Sequence, residues 1–161
     1  MNVIKPYDEF LNEGYNWYNN VKIFNGRPRG FKGPNGLCLI FAVWHAINYS
    51  HSFEDVYAEM VKRGFTEYHG GRDFKERIEQ IGETLEHFGY SYDFDDPYDE
   101  ESNKRHTLID WIDGTDYFES GTFIISTIGH AVCIRDGILY DTGDYKTLDN
   151  DIISVIEVTK K

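Results

Sequence analysis

Basic residues are scarce in this chain of 161 residues: 16 Lys and Arg stand against 28 Asp and Glu, a formal charge of −12. That balance argues against direct nucleic-acid binding and against an anionic lipid surface, both of which need clustered cations. No run approaches 18 apolar residues, which excludes an apolar helical membrane span. The opening MNVIKPYDEFLNEGYNWYNN lacks the basic flank and apolar core of a signal peptide, and a cytoplasmic location is the expectation. Only two cysteines occur, Cys38 and Cys133, too few for a disulfide framework. Neither Cys-x-x-Cys nor His-Glu-x-x-His appears, so no metal site and no cofactor are expected.

Apolar residues make up 40% and aromatics 16% of the chain, enough for a substantial core, and the length suits a single domain spanning residues 1–161. Residues 7–20 mix acidic and aromatic positions and predict an amphipathic helix, followed by the turn-rich NGRPRGFKGPNG. From Cys38 to Ser50 apolar residues run without Gly or Pro, which predicts a mostly buried helix opening at the cysteine. Ser52 and Asp55 have the spacing of a helix cap; Phe53, Val56, Met60 and Val61 are expected on one stripe, with Gly64 as the stop. A further helix is expected through Phe74, Ile78, Ile81, Leu85 and Phe88, ending at Gly89. The acidic run from Asp93 to Glu101 lacks the glycine and closing glutamate of an EF-hand loop and is expected as an exposed loop.

A short helix at TLIDWI precedes the runs TFIISTI, HAVCIR, ILYDT and DIISVIEV, all rich in β-branched and aromatic residues. Helices in the first half and antiparallel strands in the second predict an α+β fold, with the N-terminal helices packed on a C-terminal sheet. Asp136-Gly137 between two strand runs is a strong hairpin signal. A two-residue turn pairs Arg135 with Ile138 and sets Val132 against Asp141. His130 and Asp141 then share a face as diagonal neighbours, about 7 to 8 Å apart at the backbone. Cys133 falls on the other face and is expected to be a packed thiol.

A free thiol is only about 3% ionised at neutral pH, and a helix N-terminus plus a neighbouring imidazolium are the usual means of raising that fraction. A helix opening at Cys38 and the imidazole of His130 are the two aids this sequence offers. His45, seven residues beyond Cys38, rises about 10 Å along the same helix and is too distant to serve as base. His51, His69, His87 and His106 are expected in solvent. Tyr15, Trp17, Tyr18 and Trp44 are expected mainly as core residues.

A Cys opening a buried helix, followed by a His opening a strand of a C-terminal sheet, resembles the papain-like cysteine peptidase superfamily. HAV at 130 to 132 is similar to the histidine strand of papain relatives. NGLCLIFA resembles the Asp-Gly-x-Cys-Leu-x-x-Ala stretch of ovarian-tumour-type deubiquitinases. The resemblance implies Cys38 as nucleophile, His130 as general base and acid, and Asp141 as the residue orienting the imidazole. Lys32 stands where papain relatives carry an oxyanion glutamine, which leaves Asn35 or the turn's backbone N–H groups as oxyanion donors. The expected function is hydrolysis of amide or isopeptide bonds in a protein or peptide substrate, with deamidation and acyl transfer as variants. Two other readings compete: an acidic inhibitor or DNA mimic, such as a viral or phage accessory protein, and a pseudo-enzyme that binds without turnover.

Overall fold

The computed structural model describes residues 15–18, 21–25, 37–65, 74–96, 98–101, 103–115, 119–127, 130–141 and 148–161. Strands β1 (Tyr15–Tyr18) and β2 (Val21–Asn25) come first. Helices α1 (Cys38–Ala46), α2 (Phe53–Lys62) and α3 (Phe74–His87) follow. After β3 (Tyr90–Asp95) come the short β4 (Tyr98–Asp99) and β5 (Lys104–Arg105), then α4 (Leu108–Gly114). Strands β6 (Thr122–Thr127), β7 (His130–Arg135), β8 (Ile138–Asp141) and β9 (Ile152–Lys160) complete the chain.

The main sheet has the order β1-β2-β8-β7-β6-β9-β3. Its five strands from β8 to β3 pair antiparallel, whereas β2 joins β8 in parallel and carries β1 at the edge. The class is α+β. Alternation along each strand sends side chains to two separate cores. Ile124, Ala131, Cys133, Tyr140 and Ile156 pack with α1, α2 and α3. Phe123, Ile125, Val132, Ile134 and Leu139 pack with Leu108 and Ile112 of α4 on the other side. Among the described residues, no helix is long and apolar enough to cross a membrane.

Several local expectations hold. The Ser52 hydroxyl accepts from the Asp55 N–H at 3.1 Å and so caps α2. Gly64 and Gly89 take φ of +96° and +90° just beyond their helices, the left-handed conformation that ends a helix at little cost to glycine. Trp44 is buried, and the TLIDWI helix is α4, with Thr107 accepting from the Asp110 N–H.

Other expectations are corrected. Tyr15–Tyr18 is a strand and not part of a helix over 7–20, because aromatic-rich backbone finds a hydrogen-bonding partner in β2. The remainder of that proposed helix lies outside the described residues. The first half is therefore not wholly helical; the C-terminal strands form the expected antiparallel sheet, and β2 extends it by a parallel pairing with β8. Helix α1 ends at Ala46, earlier than Ser50, since Asn48 and Tyr49 turn the chain with φ of 53° and 57°. Val61 is 45% exposed: it lies about 80° round the helix from Phe53, outside the stripe of Phe53, Val56 and Met60. The acidic run is not all loop, because Asp93 and Asp95 belong to β3 and a small hairpin pairs Tyr98 with Arg105.

The β7–β8 hairpin has the anticipated register, with Arg135 opposite Ile138, Ile134 opposite Leu139 and Cys133 opposite Tyr140. Asp136 and Gly137 both take positive φ, 52° and 80°, the signs of a type I′ turn whose twist suits a two-residue hairpin. A Gly137→Val substitution places a β-branched residue in that left-handed conformation and should destabilise the fold by about 1–3 kcal/mol. Denaturant unfolding with the slope unchanged would check this.

Candidate catalytic site

The hairpin register brings the first residue of β7 and the last of β8 together. His130 Nε2 lies 2.6 Å from Asp141 Oδ1. The carboxylate is almost wholly shielded from solvent, its side chain 2% exposed against 21% for His130. A short contact in such surroundings is a charge-assisted hydrogen bond that fixes the imidazole plane. With Nε2 committed to Asp141, Nδ1 is the ring nitrogen left to face another group.

That group is Cys38. As the first residue of α1 it follows the buried Leu37, and the apolar body of the helix holds it against β7 while leaving the cysteine partly accessible. The His130 side chain and the backbone N–H groups of Ala131 and Leu39 lie close enough to its sulfur to favour the thiolate. Burial disfavours the thiolate, but the hydrogen bond and charge of His130 and the two amides outweigh it, and the Cys38 pKa falls below its ordinary value. Burial likewise disfavours the imidazolium, yet Asp141 and Cys38 push His130 up to about 10. Each shift favours the charged form, a thiolate beside an imidazolium. This is the protonation state of a nucleophile already activated and an acid already loaded.

The other sequence candidates separate clearly. Cys133 is fully buried in the core, and burial drives its thiol up to about 12, as suits a packed residue. His45 is also fully buried: its Nδ1 is 2.8 Å from the Tyr49 hydroxyl, and its ring stacks on Tyr140 at 4.7 Å between centroids. It serves the far end of α1 and not the thiol. His51, His87 and His106 are exposed, with His87 3.5 Å from Glu59. Asn35, Lys32 and His69 lie outside the described residues. Among the described residues, no group of three His, Cys, Asp or Glu side chains is placed to hold a metal ion.

Sequence reasoning missed Arg135. It is only 7% exposed and donates to the His45 carbonyl and, at 3.2 Å, to the Tyr140 hydroxyl. The only available signal was its position on β7, two residues beyond Cys133 on the face that packs against α1. Nothing in the sequence marked a guanidinium there as internal.

The raised pKa of His130 links the site to stability. Its folded value of about 10 exceeds the ordinary 6.5, so the protonated ring contributes stability that is complete below about pH 6.5 and is lost as pH rises through about 10. The melting-temperature difference between wild type and His130→Ala should therefore narrow between pH 7 and 11. Calorimetric scans across that range would check it. Family models, curated proteins and solved structures provide no match to this chain, and the chemistry of the site must be drawn from its own geometry.

Proposed function

We propose that the protein is a thiol-dependent hydrolase of papain-like type that cleaves amide or isopeptide bonds in a protein or peptide. The observation that carries this reading is the unbroken chain of contacts from the Cys38 sulfur to His130 and on to the buried Asp141 carboxylate. A packed core cysteine has no need of such a chain, and Cys133 in the same strand lacks it.

In the proposed reaction the Cys38 thiolate attacks the substrate carbonyl carbon, forming a C–S bond and a tetrahedral oxyanion. The first-turn N–H groups of α1, which have no intrahelical acceptors, stabilise that charge. The C–N bond breaks as His130 gives its proton to the leaving amine, which leaves a thioester on Cys38. Neutral His130 then takes a proton from water, the resulting hydroxide attacks the thioester, and the acid departs as the thiolate is restored. Asp141 holds the ring in the orientation that both proton transfers need. An acceptor other than water would make the same acyl-enzyme a transferase, and a glutamine side chain as substrate would make it a deamidase.

The papain-like resemblance is supported by the order Cys, His, Asp and by the seating of a cysteine-headed helix on the histidine strand. The acidic surface, with Asp93, Asp95 and Asp96 exposed, favours basic partners and suits a basic substrate segment or a basic protein bound without turnover.

Iodoacetamide labelling at pH 6 separates catalysis from binding alone. Wild type and Cys133→Ala should label rapidly at Cys38. His130→Ala should label about 100-fold more slowly, because an ordinary thiol is less than about 1% ionised at that pH. Asp141→Asn should retain labelling but lose most turnover of peptide amides. Wild-type Cys38 that reacts no faster than a free thiol when equally accessible would overturn the enzymatic reading and leave an acidic binding protein.

A further inference from the structure

Helix α1 and strand β7 are joined by polar contacts at both ends. At the start of both, Cys38 contacts His130 and the Ala131 N–H. At the end of both, Arg135 donates to the backbone carbonyl of His45. The two elements therefore run in the same direction, and each end carries one polar tie. Between the ties lies a shared apolar core that includes Leu39, Ile40 and Val43 of α1 and Ala131 and Cys133 of β7, and such contacts attract without fixing axial position.

The distal tie is braced by two tyrosines. The Arg135 guanidinium lies 5.1 Å from the Tyr49 ring centroid and 5.0 Å from that of Tyr140, and its second nitrogen reaches the Tyr140 hydroxyl at 3.2 Å. Tyr140 in turn stacks on His45, whose Nδ1 meets the Tyr49 hydroxyl. One cation thus joins the last turn of α1, the reversal after it, β7 and β8. Its charge also suits the carbonyl end of a helix. From Cys38 to His45 the helix advances about 10 Å, whereas β7 advances about 17 Å from His130 to Arg135. The long guanidinium side chain spans the difference by reaching back to the helix end.

We infer that Arg135 is a positioning residue: its latch on the end of α1 sets the helix's axial position along β7 and so holds the Cys38 sulfur against His130. This rests on the catalytic reading of that pair. A rigid helix transmits displacement along its axis, so slack at His45 appears as a longer sulfur to imidazole contact one helix length away. Misplacement by about 1 Å at a reacting centre costs up to about 100-fold in rate.

The test reads the pH profile of Cys38 alkylation in variants that circular dichroism shows to be folded. Arg135→Gln should move the alkylation midpoint upward by about one pH unit, which is about a ten-fold loss of rate at pH 6. Tyr140→Phe keeps the stacked ring, loses one hydrogen bond and should shift the profile in the same direction by less. Ethylguanidinium added to Arg135→Ala should restore the acid-shifted profile where ethylammonium does not, a rescue that general loss of stability would not produce. An acid-shifted wild type whose profile is unchanged in folded Arg135→Gln overturns the latch alone. Should Arg135→Gln fail to fold, an unchanged profile in Tyr140→Phe does so instead. A wild-type Cys38 with no acid shift overturns the catalytic reading, and the latch with it.

Discussion

A helix with no polar face has to be covered all round, and α1 is such a helix: every residue from Leu39 to Ala46 is buried. It lies between α2 and the sheet, with Phe41 stacked on Phe53 at 4.5 Å and Ile40 and Val43 fully enclosed. Full burial of each large side chain is worth about 1.5–3 kcal/mol, so the seating of α1 is among the largest local contributions to stability. The rest follows from that seating. The helix N-terminus, where N–H groups lack intrahelical acceptors, is brought to the start of β7, and the only position of α1 left partly open is the cysteine.

The same burial makes the polar groups around α1 costly, and the structure gathers them in two clusters at opposite ends. One is Cys38, His130 and Asp141; the other is His45, Tyr49, Arg135 and Tyr140. Their electrostatic character differs. The first joins two titratable groups whose protonation states favour each other, and can therefore move a proton. The second surrounds a permanent cation with carbonyl, hydroxyl and aromatic faces, which orients without titrating at ordinary pH. Strand β7 carries a member of each cluster, and α1 spans the distance between them.

Much of the site was legible because hairpin pairing is a local property. Asp136-Gly137 determines a turn, the turn determines the register, and the register places His130 diagonally across from Asp141. The helix stops at Gly64 and Gly89 and the cap at Ser52 were likewise legible, since each depends on residues close in sequence. Strand β1 was misread because its acidic and aromatic neighbourhood suits a helix as well as a strand, and its hairpin partner β2 is itself tied into the sheet by a parallel pairing with β8 more than a hundred residues later, which has no local signature. Val61 was misplaced because a hydrophobic residue at the margin of a helical stripe is buried only where a neighbour reaches it.

Composition and local pattern were enough to determine an α+β chain with a cysteine at a helix start and an oriented histidine on a hairpin. Only the tertiary structure decided that the two meet. Cys38 and His130 are remote in sequence, and neither helix propensity nor strand register specifies how a helix sits on a sheet. That choice is made by side-chain volumes packed over many residues at once, and by a buried arginine whose partners are a backbone carbonyl and tyrosines from elsewhere in the fold. Short-range geometry can be calculated from sequence spacing, whereas docking depends on shape and desolvation distributed through the whole core.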